Sequence, residues 1–165
     1  MNSNCPYCSN KKVKSNKENS LFFLFPEIAK EWDYEKNGDL KPTDVTKGSD
    51  KKVWWKCKKG HSWQSSPNII RKNRQKEKCP YCRNKKLCKE NSLEAVNKKL
   101  SKEWNYDKNI NLTPKEVLFN STRKVWWKCK KGHSWETSVY NRTKGTNCPI
   151  CWQERRSKGR QISIR

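Results

Sequence analysis

Residues 53–63 read Val-Trp-Trp-Lys-Cys-Lys-Lys-Gly-His-Ser-Trp, and residues 125–135 repeat these eleven positions without a change. In both copies a cysteine precedes a histidine by four positions, as Cys57 and His61 and as Cys129 and His133. A glycine directly before each histidine allows the tight reversal that would bring the two side chains together. Each copy therefore offers half of a metal site.

A Cys-x-x-Cys pair follows each of these stretches and supplies the other half. The pairs are Cys79/Cys82 and Cys148/Cys151. Three thiolates and one imidazole form a standard closed set for structural zinc, and the repetition of the whole pattern makes chance spacing an unlikely origin. We predict two Zn²⁺ ions per chain, held by Cys57, His61, Cys79, Cys82 and by Cys129, His133, Cys148, Cys151.

The repetition extends well outside the quoted stretch. Residues 19–63 align with residues 91–135 at a constant offset of 72, after which the copies differ by a three-residue gap. A third Cys-x-x-Cys pair lies at residues 5–8, where Cys-Pro-Tyr-Cys resembles the end of a copy. We therefore predict a repeat fragment and linker at 1–18, zinc module 1 at 19–88, zinc module 2 at 89–152 and a flexible basic tail at 153–165.

The pairing of the half-sites is open at this point. Local pairing closes loops of 17 and 14 residues, whereas joining Cys5/Cys8 to Cys57/His61, and Cys79/Cys82 to Cys129/His133, closes loops of 48 and 46. Loop entropy favours the shorter loops by only about 0.6 kcal/mol per doubling. We favour local pairing because the three-residue gap falls inside a loop bracketed by ligands. Cys5 and Cys8 then either bind a third zinc ion with a partner's ligands or are a remnant, which we favour. Cys88 has no counterpart and is expected to be a free thiol.

Each copy predicts a helix followed by a β-hairpin. Leu93, Val96, Leu100 and Trp104 recur at helical spacing, and Leu21, Leu24, Ile28 and Trp32 repeat them, with Pro26 as the expected helix start in the first copy. Residues 52–57 and 62–66 are typical of two strands joined by the Cys-His knuckle. The predicted fold class is a small α+β zinc-binding protein, with one short helix and one hairpin around each zinc.

Composition narrows the functional class. The 165 residues contain 39 Lys and Arg against 16 Asp and Glu, nine Cys and nine Trp. Modules of this size usually need a metal or disulfide staple. Residues 1–10 are polar and do not resemble a secretory signal, and no apolar run is long enough to span a membrane. We therefore expect an intracellular protein (in cytoplasm or nucleoid, or in the host cell if viral) with reduced thiols and no membrane contact.

The motif Val-Trp-Trp-Lys-Cys-x-x-Gly-His-x-Trp, with Lys-Glu-Trp before it and Cys-Pro-Tyr-Cys after it, resembles the zinc-ribbon or treble-clef repeat domains of bacteria, phages and large DNA viruses. The resemblance covers nearly all of residues 1–152. It implies tandem treble-clef-like modules with the eight ligands above, and it supports local pairing. Such repeats sometimes precede an endonuclease domain, which residues 1–165 do not contain, so the resemblance implies no nuclease activity.

The formal charge of +23 indicates a polyanionic partner. Three thiolates and one Zn²⁺ leave −1 at each site, so two sites lower the charge only to about +21. We predict a non-enzymatic nucleic-acid-binding protein, with DNA favoured over RNA by family analogy. The candidate contacts are Lys58, Lys59, Arg71, Arg74, Lys130, Lys131, Arg142 and Lys144.

Two apolar features have alternative interpretations. One Trp of each Trp-Trp pair should enter the core, while the other either stacks on a base or, as we favour, packs on the protein. Residues 21–25, Leu-Phe-Phe-Leu-Phe, are far more apolar than their counterparts at 93–97. If the helix starts at Pro26, Phe22, Phe23 and Phe25 could form a protein contact. The alternative function is accordingly a protein-interaction module, such as a phage or viral factor that docks on host machinery.

Catalysis is not expected from this residue set. Both histidines are claimed by zinc, which removes the usual general base, and the two zinc sets leave no open coordination position. The acidic residues form no repeated cluster. We therefore expect neither an enzyme nor a small-molecule substrate.

Overall fold

The structure is a computed structural model that describes residues 5–7, 9, 11–73 and 78–162, with side chains described up to Lys158. It divides into two compact units, residues 1–83 and 84–165. We expected the boundary after Cys88, five residues further along the chain.

The described residues of unit 1 form four short helices and one hairpin. Helices α1 (Leu21–Leu24), α2 (Pro26–Ala29) and α3 (Tyr34–Asn37) precede strands β1 (Val53–Lys56) and β2 (Ser62–Ser65), and helix α4 (Pro67–Lys72) follows them. The strands are antiparallel, with Trp55 opposite Trp63. Serine side chains cap two of the helices: the Ser20 and Ser66 hydroxyls accept hydrogen bonds from the backbone N–H groups of Phe23 and Ile69.

Unit 2 repeats this plan with a different ending. A 3₁₀ turn (Lys89–Asn91) leads to helices α5 (Leu93–Val96) and α6 (Lys98–Ser101), and then to strands β3 (Lys124–Lys128) and β4 (Ser134–Ser138). Helices α7 (Val139–Thr143) and α8 (Pro149–Ile162) complete the unit. Trp127 lies opposite Trp135, as Trp55 lies opposite Trp63.

The helix predicted from the Leu93-to-Trp104 spacing is wrong in extent. The backbone leaves the helical region at Asn97, where φ is −143°, and the Asn97 side chain accepts a hydrogen bond from the N–H of Leu100 to begin α6. Phe25, with φ −142°, makes the same break before Pro26. A turn at residues 102–103 follows α6, and Trp104 then forms a β-bridge with Trp127. The Glu103 carbonyl accepts the Lys128 N–H at 2.7 Å, and the Asn105 N–H donates to the Trp126 carbonyl at 3.1 Å. Trp104 therefore lies beside β3 rather than on a helix.

Each unit has its own core built around two perpendicular tryptophans. The rings of Trp32 and Trp55 meet edge to face with centroids 5.5 Å apart, and those of Trp104 and Trp127 do the same at 5.6 Å. This geometry is the favoured one for aromatic pairs. Trp63 and Trp135 are buried in the same clusters. The predicted burial of one Trp from each pair thus holds for Trp55 and Trp127.

The outer tryptophans, Trp54 and Trp126, are half-buried and covered by lysines. Lys36 Nζ lies 4.4 Å from the Trp54 ring centre and Lys108 Nζ lies 3.9 Å from that of Trp126. This arrangement agrees with packing on the protein more than with an open base-stacking surface.

The apolar segment 21–25 forms α1 and is only partly exposed. Leu21 is fully buried and Phe25 packs against the core, whereas Phe22 and Phe23 are 49% and 64% exposed. The predicted protein contact therefore depends on Phe22 and Phe23 more than on Phe25, whose side chain is half-buried against the core. The predicted flexible tail also needs correction: residues 153–162 continue helix α8.

Candidate metal centres

Two elements bring the four ligands of each site together. The turn between the strands of each hairpin carries the first cysteine and the histidine, and the Cys-x-x-Cys pair approaches from the chain segment after α4 or α7. In the turn, the Cys57 carbonyl accepts the Gly60 N–H at 2.9 Å, and the Cys57 N–H donates to the His61 carbonyl at 3.0 Å. Gly60 has φ +84°, a conformation that L side chains rarely adopt. Gly132 repeats it with φ +83°.

The ligand atoms of the first site face one another. Cys57 Sγ and Cys82 Sγ each lie 3.5 Å from His61 Nδ1, and Cys79 Sγ lies 3.7 Å from it. The Cys57 and Cys82 sulfurs are 3.8 Å apart. This distance is far too long for a disulfide.

The second site has the same geometry. His133 Nδ1 lies 3.3 Å from Cys151 Sγ and 3.7 Å from Cys148 Sγ, and the Cys129 and Cys151 sulfurs are 3.7 Å apart. Here Cys148 immediately precedes helix α8 and Cys151 lies in its first turn. The first site has no such helix in the described residues, since residues 80–86 form turns.

These separations fit zinc. Zn–S bonds of about 2.3 Å and Zn–N bonds of about 2.0–2.1 Å at tetrahedral angles place two sulfurs about 3.8 Å apart, and a sulfur and a nitrogen about 3.5 Å apart. Both clusters, Cys57-His61-Cys79-Cys82 and Cys129-His133-Cys148-Cys151, match this pattern. They therefore constitute two zinc sites, and the prediction of local pairing is confirmed.

The electrostatics of the clusters call for a cation. Burial opposes ionisation of the Cys57 thiol, but the backbone N–H groups of Lys59 and His61 donate to its sulfur and the net effect lowers its pKa. Burial, followed by hydrogen bonding and repulsion from Cys79 and Cys57, raises the pKa of Cys82 to about 12. Without a metal the third thiolate is therefore unfavourable, and a divalent ion removes that cost.

The second cluster behaves in the same way. Burial opposes ionisation of the Cys129 thiol, but hydrogen bonds from the N–H groups of Lys131 and His133 and from the neighbouring thiols together lower its pKa. Burial and the neighbouring thiols raise the pKa of Cys151 to about 11. The imidazole of His133 also has a carboxylate behind it, since Glu154 Oε1 lies 3.6 Å from Nε2. Carboxylates in this position orient zinc-bound histidines.

In each unit a buried polar side chain forms a hydrogen bond with the serine that follows the zinc-binding histidine. Asp33 is 1% exposed, and its Oδ2 accepts the hydroxyl of Ser62 at 2.6 Å. In unit 2, Asn105 Nδ2 donates to Ser134 Oγ at 2.9 Å. Because Ser62 and Ser134 directly follow the histidines, these bonds fix the strand that presents the ligand.

Arg142 requires a correction, because it is not a surface contact. Its side chain is buried, forms an ion pair with Glu103, and donates to the Thr146 carbonyl. Its guanidinium also lies 5.4 and 5.6 Å from the ring centres of Trp127 and Trp135. The sequence predicted Arg142 to be a nucleic-acid contact, because a sequence shows the charge of a side chain but not its burial.

The other predicted contacts divide by exposure. Arg71 is half-buried and donates to Asn68 Oδ1 at 3.2 Å, while Arg74 lies outside the described residues. Lys131 pairs with Glu154 at 2.6 Å. Lys131 is itself exposed, and so are the other four, namely Lys58, Lys59, Lys130 and Lys144.

The cysteines outside the two clusters are Cys5, Cys8 and Cys88. Cys5 is exposed and Cys8 lies outside the described residues, so the predictions of a third zinc site and of a remnant both stay predictions. Cys88 is half-buried, and burial together with the Glu90 carboxylate raises its pKa.

Within the residues that the structure describes, none of the helices combines the length and apolar character needed to cross a bilayer.

Comparison with known proteins agrees with the ligand geometry. The family described as "Probable Treble clef zinc finger domain" matches residues 28–85 and again residues 100–154, together more than half of the chain. A protein of Escherichia phage T5 named "Putative endonuclease" is 29% identical over 100 residues. The alignment covers 61% of this chain and 31% of the phage protein, so the chain spans about a third of that relative's length.

Proposed function

The chain belongs to the family of probable treble clef zinc finger domains, and from that premise we propose that it binds nucleic acid without catalysing a reaction. The carrying observation is the repetition of exposed lysines on both zinc knuckles. Lys58 and Lys59 in unit 1 and Lys130 and Lys131 in unit 2 all lie on the turn that holds the metal. A rigid turn presents cations to a phosphate backbone at little further entropic cost.

The overall charge supports the same partner. About +21 remains after two Cys₃His zinc sites are counted, and this field attracts a polyanion over distances near the Debye length. Two linked modules that reach one nucleic acid also gain effective concentration. Phosphate contacts of this kind supply affinity without sequence information.

The zinc ions serve the fold in this proposal. Each has four protein ligands, so no position remains for an activated water. The only two histidines of the chain are both ligands. The name of the phage relative refers to an activity of a protein about three times the length of the aligned stretch, and we do not extend that activity to this chain.

Duplex DNA is the preferred partner in the proposal, ahead of RNA. Its support is the family resemblance to modules of phages and DNA viruses. Competition between a duplex DNA and an RNA duplex of the same length and sequence would decide between them: preferential displacement by RNA would reverse the preference.

The test of nucleic-acid binding is a salt titration. Fluorescence anisotropy of a labelled 20-base-pair duplex should give a log Kd that rises linearly with log salt, with a slope of several units. Absence of binding at 20 mM salt with zinc-loaded protein would defeat the proposal. Incubation with supercoiled plasmid and Mg²⁺, Mn²⁺ or Zn²⁺ tests the non-enzymatic part, since nicking that co-purifies with the chain through several columns would overturn it.

The alternative function, a protein-interaction module, rests on the exposure of Phe22 and Phe23. Their counterparts in unit 2 are Glu94 and Ala95. The double substitution Phe22→Glu/Phe23→Ala therefore gives unit 1 the surface of unit 2. Under the nucleic-acid proposal the variant should bind duplex DNA within twofold of wild type. A large loss of affinity, or a change of sedimenting mass, would instead favour a role for this surface in assembly.

A further inference from the structure

Each unit contains one groove of the same volume in the same place. Groove 1 and groove 2 each enclose about 550 Å³ beside the first zinc-binding cysteine of their unit. Groove 1 is lined by Glu27, Lys30, Glu31, Trp32, Lys56, Cys57, Lys58 and Lys78. Groove 2 is lined by Lys99, Lys102, Glu103, Trp104, Lys128, Cys129, Lys130 and Gly132.

Seven of the eight lining positions of each groove correspond under the 72-residue offset, and the exceptions are Lys78 in groove 1 and Gly132 in groove 2. Lys30, Lys56 and Lys58 of groove 1 are replaced in groove 2 by Lys102, Lys128 and Lys130. Two separate units therefore build the same lysine-lined concavity, although the prediction from sequence included only Lys58 and Lys130 of this set. The missed signal was the repeated Lys-Glu-Trp, which carries Lys30 and Lys102.

The walls of both grooves are held by backbone hydrogen bonds. The Lys56 N–H donates to the Glu31 carbonyl at 2.6 Å, and the Lys128 N–H donates to the Glu103 carbonyl at 2.7 Å. The buried indoles behind the walls are fixed as well, with Trp32 Nε1 donating to the Leu40 carbonyl and Trp104 Nε1 to the Leu112 carbonyl, both at 3.1 Å. The lysines thus project from a preorganised surface.

The central carboxylate of each groove is already neutralised. Glu31 pairs with Lys78 at 2.7 Å, and Glu103 pairs with Arg142. Lys56 and Lys128 are also engaged, with Glu35 and Asp107. In the part of the chain that the structure describes, no acidic side chain lies within ion-pair distance of the exposed lysines that remain, namely Lys30, Lys58, Lys99, Lys102 and Lys130.

Among the lining positions that correspond, the two grooves differ at one rim position. Glu27 of groove 1 stands where groove 2 has Lys99. Groove 2 also adjoins a second cavity of about 370 Å³, which shares Glu103, Cys129 and Lys130 with it and adds Lys131 and Arg155. Arg155 lies on helix α8, which has no counterpart among the described residues of unit 1.

We propose that the two grooves bind the phosphate backbone of the nucleic acid, and that groove 2 contributes more to the binding affinity than groove 1. The inference rests on the proposed function and assigns its contact site. An ammonium group acts as a point charge for phosphate, and three unpaired lysines in groove 2, with Arg155 beyond Lys130, offer successive positions for neighbouring phosphates. In groove 1 the Glu27 carboxylate repels the same ligand.

The test compares lysines in the groove with lysines outside it. Lys99→Glu/Lys102→Glu alters groove 2, and Lys86→Glu/Lys124→Glu makes the same change of net charge in the same unit, outside both cavities. Anisotropy with the 20-base-pair duplex should show at least a tenfold loss of affinity for the groove variant and less than a threefold loss for the control. The slope of log Kd against log salt should fall by about two for the groove variant only.

A gain of affinity provides an independent readout that misfolding cannot imitate. Glu27→Lys gives groove 1 the rim of groove 2 and should tighten binding at least twofold, whereas Glu18→Lys, at another exposed site of unit 1, should have a smaller effect. The proposal that the grooves are the binding sites would be overturned by equal losses of affinity in the groove and control double variants. It would also be overturned if Glu27→Lys gained no affinity relative to Glu18→Lys. Wild-type protein that does not bind at all would instead overturn the proposed function.

Discussion

Lys78 Nζ lies 2.7 Å from Glu31 Oε1 in unit 1, and this ion pair replaces the Arg142–Glu103 pair of unit 2. The two glutamates are equivalent, but their partners come from different elements. Arg142 lies on helix α7, where unit 1 has Ile70 on α4, and Lys78 reaches Glu31 from the loop directly before Cys79. Each glutamate is therefore paired with one cation, and the two cations occupy non-equivalent positions of the repeat.

Removal of Lys78 should destabilise unit 1. Its side chain is only 9% exposed, so Lys78→Ala leaves Glu31 partly buried without its cation, at a cost of about 1–3 kcal/mol. In zinc-loaded Lys78→Ala, amide hydrogen exchange should become faster than in wild type in β1 and β2, and should change less in β3 and β4. Lys72→Ala, at an exposed position on α4, is the control. Ile70→Arg added to Lys78→Ala should recover part of the loss, and equal exchange in Lys78→Ala and the control would contradict the role of the pair.

Arg142 should behave as a structural residue of unit 2. Arg142→Ala removes the Glu103 pair and the contacts with Trp127 and Trp135, and we expect a loss of about 2–4 kcal/mol in the free energy of unfolding. Urea unfolding followed by tryptophan fluorescence measures it. Lys144→Ala, an exposed change near the end of the same helix, should cost less than about 0.5 kcal/mol. An unchanged midpoint for Arg142→Ala together with weaker DNA binding would restore its sequence-based role as a contact.

Only the backbone conformation, and not the space around it, should restrict residue 60 to glycine. A methyl group at this position would meet no atom within 4 Å, but φ is +84°. Gly60→Ala should therefore cost about 1–2 kcal/mol and weaken zinc binding at the first site. Gly48, which is equally unhindered and has no positive φ, is the matched control. Competition for zinc with a chromophoric chelator gives the affinity; equal affinities for the two alanine variants would refute the argument.

Zinc should be lost one site at a time when ligands are removed. Native mass spectrometry of Cys79→Ser should show one zinc fewer than wild type, with β3 and β4 still protected from hydrogen exchange. Cys5→Ser/Cys8→Ser should retain the zinc at both described sites, because local pairing leaves those sites complete. A wild-type content of three zinc ions, falling to two in this variant, would show that Cys5 and Cys8 take part in a further site.

At position 33, the shape and hydrogen-bonding capacity of the side chain should matter more for stability than its charge. Asn105 fills the same place in unit 2 and bonds the equivalent serine. Asp33→Asn should thus cost less than about 1 kcal/mol, whereas Asp33→Ala should cost about 1–3 kcal/mol because the Ser62 hydroxyl and the Lys36 N–H lose their acceptor. Thermal unfolding of both variants separates these outcomes, and equal destabilisation would show that the charge itself is required.

The eight zinc ligands were determined by the sequence alone. Their spacing has chemical meaning without any knowledge of the fold, since a Cys-x₃-His knuckle and a Cys-x₂-Cys pair each bring two ligands to one ion over a few residues. Repetition did the rest, because residues 53–63 and 125–135 agree at every position. The hairpins followed from the same stretch, with errors of at most one residue at the strand ends.

Tertiary structure decided what those local rules leave open. Leu93 to Trp104 has helical spacing, yet the backbone of Glu103 and Asn105 finds partners on β3, and this pairing outweighs the local preference. Arg142 and Lys144 look alike in the sequence, but one is buried against Glu103 and the other is exposed. Metal ligation depends on spacing along the chain, whereas the burial of a charge depends on groups distant in sequence, and only the folded structure brings those groups together.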